Sequence, residues 1–261
     1  MASQTLGFRV SLVQSAAALH AACSVRSAAY GHHLPQLKEP FLKPDEIDMM
    51  AGTAILLAVD KLSGTPLGTA RIQTTARGRS LPIEGSVDLP PAYAKYGRAE
   101  ITRLSAVAGA DTLVKICLWK AAYLYCFSNQ VKWLLIGARS NSLARQYQRL
   151  GATDIYPDGR MVPLAYAGGI PHRVLALDVM GVERHWFHAS HGLFDFFFET
   201  VHEDIQFSDS AVQGDRVDFQ NLWSASGKLG GHAIPSVVHT TSNALSFSGA
   251  DADAEVSAVS A

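Results

Sequence analysis

The residues of this sequence that are best suited to chemistry are charged side chains at short spacings in its first half. Asp45 and Asp48 stand three residues apart, Arg71 lies in an apolar stretch, and Arg103 follows Glu100 by three residues. A carboxylate can take the proton of an amine that must act as a nucleophile, and an arginine fork binds a carboxylate bidentately. The same residue types also form structural ion-pair clusters, so the pattern leaves both roles open.

The elements that position these residues follow from hydrophobic periodicity, caps and turn residues. The acidic pair falls in an irregular loop at 31–50, Arg71 falls on the second strand of a hairpin, and Glu100 falls on the next strand. The resulting order predicts an α/β fold in which helices flank a mixed, mostly antiparallel central sheet. The predicted elements are strands at 8–13, 53–59, 67–74, 99–107, 133–137 and 173–179, and helices at 15–30, 111–127 and 140–150.

The first 180 residues are predicted to form one domain, followed by an aromatic and His-rich helical extension at 181–224 and a disordered, flexible tail at 225–261. The run from Phe194 to Phe198 is too apolar for a free surface, so we expect it to cap the core, contact a second subunit or touch a membrane. His185, His188 and His191 drift around a helix and lack a completing Glu or Cys, so no metal site is predicted.

Composition excludes several classes of protein. The chain has 261 residues, 48% of them hydrophobic and 17% charged, which excludes a disordered chain or a coiled coil. Its three cysteines are too few for a disulfide framework, which favours a cytoplasmic location. No apolar run reaches about 18 residues, so no membrane-spanning helix is predicted. A strand and an Ala-rich helix are favoured over a signal peptide in residues 10–25.

Three local patterns together resemble a known family. Leu143–Ala152 is a helix that ends in Tyr-x-x-Leu-Gly after a buried strand, which resembles the last core helix of the GNAT superfamily of N-acetyltransferases. The acidic pair, the arginine of Gly68–Arg71 and the Glu-x-x-Arg of Glu100–Arg103, in this order, resemble the acyl-homoserine-lactone (autoinducer) synthases and the N-acyl amino acid synthases, both GNAT-like. Arg26 and Tyr30 match the Arg-x-x-x-aromatic element of that family.

This resemblance covers about residues 8–180, and two departures refine what it implies. Residues 31–44 lack the tryptophan of the lactone synthases, and residues 106–113 lack the glycine-rich pyrophosphate loop of other GNAT enzymes. The resemblance therefore implies an N-acyl amino acid synthase that moves a fatty acyl group from an acyl carrier protein to an amino-acid acceptor. The donor is an acyl-phosphopantetheine thioester, and no tightly bound cofactor is expected. The alternatives are a lactone synthase and a non-catalytic GNAT-like module that binds acyl carrier protein or lipid.

The resemblance also implies roles for individual residues. Glu100 is expected to be catalytic, accepting the amine proton or holding the amine, with a structural ion pair to Arg71 or Arg103 as the alternative. Strand alternation places Arg103 on the face opposite to Glu100 unless the strand is bulged. Free backbone N–H groups near Ser105 could stabilise the oxyanion. The residues expected to bind substrate are Arg26, Tyr30, Asp45, Asp48, Arg71, Arg103, Leu104, Ser105 and Ala106.

Charge is unevenly distributed behind a net value of −1. Residues 61–160 hold 14 Lys/Arg and 6 Asp/Glu, a net of +8, whereas residues 161–261 hold 4 and 12, a net of −8. Acyl carrier proteins are acidic, so the basic segment 61–160 predicts a surface on which such a protein docks. The alternative is that these charges lie on exposed helix and loop faces without a binding role. This segment lacks interleaved surface aromatics, so nucleic acid is not expected as a partner. The docking candidates are Arg139, Arg145 and Arg149, within a wider set of Arg77, Arg79, Lys95, Arg98, Lys115 and Lys120.

Two further features have a structural and a functional interpretation. Tyr147 occupies a position where some GNAT enzymes keep a general acid, but packing is the favoured role. A group of apolar residues could line an acyl tunnel, although core packing is again favoured. That group comprises Leu104, Leu118, Trp119, Tyr123, Trp133 and Leu135.

Overall fold

A twisted mixed sheet is the frame of the molecule, which a computed structural model describes over residues 2–32, 34–75 and 78–207. The strands are β1 Ala2–Ser3, β2 Phe8–Leu12, β3 Thr53–Asp60, β4 Pro66–Thr74, β5 Arg98–Ala106, β6 Trp133–Ala138, β7 Thr153–Asp154, β8 Met161–Pro163, β9 Pro171–Asp178, β10 Thr200–Val201 and β11 Ile205–Gln206. The α-helices are α1 Ala16–Gly31, α2 Lys38–Phe41, α3 Pro91–Ala94, α4 Thr112–Ser128, α5 Asn141–Arg149 and α6 Val182–His188. Short 3-10 turns lie at Pro35–Leu37, Pro82–Gly85 and Ala165–Ala167, and a π-helical turn lies at Asp195–Glu199.

The strand order in the sheet is β11-β2-β3-β4-β5-β6-β9-β7, with β8 also paired to β9. Neighbouring strands run antiparallel except β11 with β2 and β5 with β6, which run parallel. The predicted mixed, mostly antiparallel sheet with flanking helices is therefore confirmed. The proposed disordered tail at 225–261 lies outside the described residues.

The start and end of the main helices follow from their caps. Ser15 accepts a hydrogen bond from the Ala18 amide at 3.2 Å, and Ser140 accepts one from Leu143 at 3.2 Å. Both side chains satisfy an amide that the first helical turn leaves without a partner. Gly151 follows α5 with a φ of +88°, the left-handed conformation in which many helices end.

The middle of β5 has a bulge. On β4 the step from Thr69 to Arg71 spans two residues, but their partners on β5, Ser105 and Thr102, are three apart. Arg103 takes up the extra residue with a φ of +56°. The bulge therefore interrupts the alternation that would otherwise place Arg103 on the face opposite to Glu100.

Each face of the sheet has its own apolar layer. The face under α4 carries a cluster that includes Ile72, Ile101 and Leu134. The opposite face carries two separate clusters, one under α1 with Ile55 and one under the 81–87 segment with Leu135. Between these two clusters the α1 face bears charged and polar side chains.

Residues 179–207, which follow β9, pack back onto the sheet. Phe197 is buried in the α4-side cluster and the neighbouring phenylalanines pack against it, so this aromatic run caps the core. β11 then extends the sheet beside β2. Lys120, a docking candidate from the sequence, is only 3% exposed and donates hydrogen bonds to the carbonyls of Phe196 and Thr200, both at 2.7 Å. The prediction that Lys120 helps to dock a carrier protein is therefore wrong, because its buried ammonium group binds the aromatic run to α4 through hydrogen bonds.

Candidate active site

A cleft opens where two central strands separate. β5 and β6 pair only from Arg98 to Ile101 on β5, so within the described residues the rest of β5 has no strand partner on that side. The cleft has a volume of about 280 Å³ and adjoins a second cavity of about 460 Å³. Five of the predicted substrate-binding residues line the cleft: Tyr30, Arg103, Leu104, Ser105 and Ala106. Leu104 and Ala106 also line the adjoining cavity.

Four charged residues on the α1 face form an arginine–aspartate cluster: Arg26, Asp45, Asp48 and Arg71. Arg26 and Asp48 form an ion pair of 2.6 Å and are almost completely buried. Arg71 bridges to both carboxylates, at 2.6 Å to Asp45 and 3.1 Å to Asp48. The loop of the acidic pair is fixed by reciprocal hydrogen bonds, in which each aspartate carboxylate accepts the other's backbone N–H. The cluster thereby joins α1, the loop and the sheet.

Burial and charge act against each other in this cluster. Burial raises the pKa of Asp45, but the charge and hydrogen bond of Arg71 outweigh it and hold that pKa below its ordinary value. Burial likewise lowers the pKa of Arg71, and the two aspartates outweigh it. Asp45 and Arg71 are therefore both ionised at neutral pH.

Arg103 connects this cluster to the cleft. The bulge brings it to the α1 face, where its guanidinium contacts the Asp45 carboxylate at 3.3 Å. The guanidinium also lies over the Phe41 ring at 4.1 Å and near the Tyr30 ring at 5.9 Å. Arg103 and Tyr30 both line the cleft, so a positive charge on an aromatic platform faces the space between the strands.

Glu100 precedes Ile101, which lines the cleft and is the last β5 residue that pairs with β6, but Glu100 itself lines neither cavity. Its side chain is fully buried and accepts a hydrogen bond from the Ile83 amide at 2.9 Å. Burial raises its pKa to about 7, against the opposing effects of the Tyr166 hydroxyl, the Ile83 amide and Arg71. The Tyr166 hydroxyl is a second hydrogen-bond partner of this carboxylate, besides the Ile83 amide.

The structural alternative for Glu100 was an ion pair with Arg71 or Arg103. Neither pair forms within 4.0 Å in the part of the chain that the structure describes. A buried carboxylate without such an ion pair and with a near-neutral pKa has the properties of a proton acceptor that works at physiological pH.

The docking candidates are distributed unequally around the two cavities. Arg139 lines the cleft and Arg149 lines the adjoining cavity, whereas Arg145 lines neither. Arg98, from the wider set, forms an ion pair with Glu84 and donates to the Ala94 carbonyl. Arg77 lies outside the described residues. Only part of the basic middle therefore faces the cavities.

Tyr147 and the tunnel candidates are mainly core residues. Tyr147 stacks on Trp119 with a centroid separation of 5.7 Å, and its exposed edge lines both cavities. Burial raises its pKa above the ordinary value for tyrosine. Trp119, Leu118 and Leu135 are fully buried, and Leu104 is the tunnel candidate that lines both cavities.

Sequence reasoning missed several residues that complete the site. Thr102 accepts a hydrogen bond from Arg71 Nε at 2.9 Å, and its alternation with Glu100 was a signal that could have identified it. Ile83, Tyr166 and Phe41 come from irregular segments without periodicity, so no sequence pattern marks them. Among the described residues there is no cluster of three potential metal ligands, and no helix long and apolar enough to cross a membrane.

No family profile and no curated protein matches the sequence. Among solved structures, the fold is similar to FeeM, an N-acyl amino acid synthase from uncultured soil microbes, with a TM-score of 0.53 and 14% identity over 72% of this chain and 97% of that chain. It is also similar to BjaI, a CoA-dependent acyl-homoserine lactone synthase, with a TM-score of 0.50 and 15% identity over 80% of this chain and 99% of that one. The chain therefore has the GNAT-like fold that the sequence resemblance implied.

Proposed function

We propose that this protein is an N-acyltransferase that moves a fatty acyl group from an acyl-carrier-protein thioester to the α-amine of an amino acid. The observation that carries the proposal is Glu100: a buried carboxylate without an ion pair, whose pKa is raised to about 7, beside the cleft of a GNAT-like fold. A thioester needs only a deprotonated amine to react, so one proton acceptor of this strength suffices for the central step.

The reaction is the aminolysis of a thioester. The amine nitrogen attacks the carbonyl carbon, the tetrahedral intermediate collapses, and the carbon–sulfur bond breaks to leave an amide and a thiolate. Glu100 takes the amine proton, directly or through a water molecule, and that proton ultimately neutralises the thiolate. The β5 edge beyond Ile101 has no strand partner on the cleft side, so its backbone groups suit the amides of a phosphopantetheine arm or a developing oxyanion.

The acceptor is proposed from the charge that faces the cleft. Arg103 makes one ion pair among the described residues, a contact of 3.3 Å to Asp45, and its guanidinium carbon lies 4.1 Å from the centre of the Phe41 ring. A planar fork of this kind can bind a carboxylate through two parallel hydrogen bonds. An amino acid supplies both that carboxylate and the α-amine, which favours it over an acceptor that lacks a carboxylate.

The donor is proposed from the start of α4, which borders the adjoining cavity. Asp111 caps this helix and accepts a hydrogen bond from the Leu113 amide at 2.8 Å. Its negative charge takes the place at the helix start where a pyrophosphate would otherwise be stabilised. This favours a carrier-bound phosphopantetheine over coenzyme A, with Lys115 and Arg149 supplying positive charge along the same cavity.

Mass spectrometry of lipid extracts tests the proposal in cells that express either the wild-type protein or Glu100→Gln. We expect N-acyl amino acids in the wild-type extract and their loss in the variant extract. Acyl lactones in place of acyl amino acids would make the protein a lactone synthase. If neither product appears, and the purified protein releases no thiol from acyl-carrier thioesters with any amino acid, the protein is a non-catalytic binding module.

A further inference from the structure

His172 lines the cleft on the side of β6 and β9, across from Arg103 on β5. Val174, two residues further along β9, belongs to the apolar cluster under the 81–87 segment, so alternation places His172 on that same face of the sheet. The ring packs against Gly137 of β6, where an added Cβ would meet the His172 Cδ2 atom at 3.2 Å. Glycine at position 137 thus leaves room for an imidazole beside the open edge of β6.

The tautomer of the His172 ring follows from its hydrogen bond. Nδ1 lies 2.7 Å from the carbonyl oxygen of Ile170. A carbonyl only accepts, so Nδ1 carries the proton and the neutral ring keeps its lone pair on Nε2. Nε2 makes no hydrogen bond within the described residues, and the side chain is partly exposed, so this lone pair is open to a group in the cleft.

The charges around His172 keep its ring neutral. Burial and the positive charge of Arg139 lower its pKa, and the hydrogen bond to the Ile170 carbonyl offsets them only in part. The strand β8, which pairs with this part of β9, carries no charged side chain. No carboxylate lines the cleft among the described residues, so His172 is the lining group suited to accept a proton near pH 7. The other titratable residues that line the cleft are Tyr30, Arg103, Lys115, Arg139 and Tyr147.

The acceptor of the proposed reaction must lose two protons from its nitrogen. The α-amine of an amino acid is mainly an ammonium ion at neutral pH, and it becomes a nucleophile only after it gives up one proton. A second proton leaves the nitrogen in the transfer itself, and in the proposed function Glu100 takes this one. Glu100 is fully buried and lines neither cavity, so it is poorly placed to pass the first proton to solvent.

We propose that His172 is a second catalytic residue, which takes a proton from the α-ammonium group of the acceptor before that nitrogen attacks the thioester. The inference rests on the proposed function. One N–H bond of the ammonium breaks, its electron pair stays on the nitrogen as the attacking lone pair, and the proton bonds to Nε2 of His172. The imidazolium then gives this proton to water in the cleft, so the ring is neutral again before the next turnover.

The variant His172→Asn tests this inference, because its amide nitrogen can still donate to the Ile170 carbonyl while the basic nitrogen is lost. At pH 7 we expect kcat/KM for the amino acid to fall about 10²-fold. The loss should shrink about tenfold for each added pH unit, since the solution then supplies the free amine that His172 otherwise generates. A purely structural role of His172 would give a loss that is the same at every pH.

A second acceptor separates His172 from Glu100. Aminooxyacetate carries a carboxylate, but its amine is uncharged at neutral pH and needs no first deprotonation. His172→Asn should acylate it at close to the wild-type rate, whereas Glu100→Gln should be slow with both acceptors. His185→Asn, at an exposed histidine of α6, is the matched control and should leave kcat/KM unchanged at every pH.

The outcomes distinguish this inference from the proposed function. An equal loss with both acceptors in His172→Asn, or a loss that does not depend on pH, would overturn the inference and leave the proposed function intact. A wild type that acylates neither acceptor would overturn the proposed function and the inference with it. If the asparagine variant does not fold, His172→Gln takes its place in the same comparison.

Discussion

Two buried charged groups, Lys120 and Glu100, lie on opposite faces of the sheet and differ in how completely neighbouring groups compensate their charge. On the α4 face, the three ammonium donors of Lys120 all have acceptors: the Phe196 and Thr200 carbonyls and Nδ1 of His202. Burial and the Lys120 charge lower the pKa of His202 to about 4, so this ring is neutral and can accept. On the α1 face, Glu100 has no ion pair among the described residues, and burial raises its pKa to about 7 despite its hydrogen bonds with the Ile83 amide and the Tyr166 hydroxyl.

This difference separates a group that holds the fold from a group that is kept for chemistry. Burial lowers the pKa of Lys120 to about 8, so its ammonium group also carries a cost of burial. Its three acceptors nevertheless depend on it, and removing it leaves them unsatisfied. A buried carboxylate with a raised pKa costs stability at neutral pH, and such costs are typical of functional sites. The predictions below test this contrast in order of expected effect.

The largest effect is expected for Glu100→Gln. Loss of the proton acceptor should lower kcat by about 10²- to 10⁴-fold in a steady-state assay of thiol release. Glu84→Gln is the matched control, because it neutralises a carboxylate of the adjacent segment that pairs with Arg98. Near-normal turnover of Glu100→Gln would remove Glu100 from the mechanism.

The same substitution should stabilise the protein at neutral pH. The pKa of folded Glu100 is raised to about 7, so its cost to stability is absent below its unfolded pKa of 4.5 and fully present above pH 7. Glu100→Gln should therefore raise the free energy of unfolding by up to about 3 kcal/mol at pH 8, and the gain should vanish near pH 4.5. Denaturant unfolding at several pH values measures this, and a gain that is independent of pH would contradict the burial argument.

Lys120→Met should have the opposite pattern. It leaves two buried carbonyls and a ring nitrogen without their donor, so we expect a loss of about 3 kcal/mol in the free energy of unfolding. Turnover per folded molecule should stay close to the wild-type value. Lys43→Met, at an exposed lysine, is the control and should change stability by less than about 0.5 kcal/mol. If Lys120→Met lowered turnover without lowering stability, the contrast between the two faces would fail.

A smaller effect is expected for Arg103→Lys, which keeps the charge but loses the planar fork. The KM for the amino acid should rise about tenfold, because a point charge replaces bidentate binding of the carboxylate. The same variant should show no such rise with an amine that lacks the carboxylate. An equal rise in KM for both acceptors would show that Arg103 shapes the cleft but does not bind the carboxylate.

The smallest effect is expected at the docking surface. The double variant Arg145→Glu with Arg149→Glu should raise the KM for the carrier-bound donor about fivefold, and the effect should weaken at high salt. Arg184→Glu reverses an exposed arginine on α6 and serves as the control. An unchanged KM in the double variant would show that Arg145 and Arg149 do not bind the carrier protein.

The sequence predicts the regular part of this fold well, and for identifiable reasons. Serine caps and helical periodicity locate α1 and α5 within about two residues, and the compact apolar runs locate β3 and β6. The short strands β7, β8, β10 and β11 could not be predicted, because two or three residues carry no periodicity. Their positions depend on pairing with distant strands, such as β11 with β2.

The candidate site shows the same limit. The spacing of Glu100 and Arg103 identifies both as candidate site residues. The alternation of side chains along the strand does not predict the bulge that brings Arg103 to the arginine–aspartate cluster. The burial of Glu100 depends on Ile83, which comes from an irregular segment 17 residues away. The structural role of Lys120 depends on hydrogen bonds with residues that lie 76 to 82 positions further along the chain. Long-range packing, which a local pattern does not encode, decides each of these points.

The most direct test of the central claim is a reconstituted reaction with purified protein, a fatty acyl carrier protein and a mixture of amino acids. Free thiol and N-acyl amino acid are quantified together over time. We predict that they form in equal amounts with the wild type and that both rates fall by about two orders of magnitude or more with Glu100→Gln. Thiol release without an acyl amino acid, or equal rates for both proteins, would contradict an aminolysis in which Glu100 takes the amine proton.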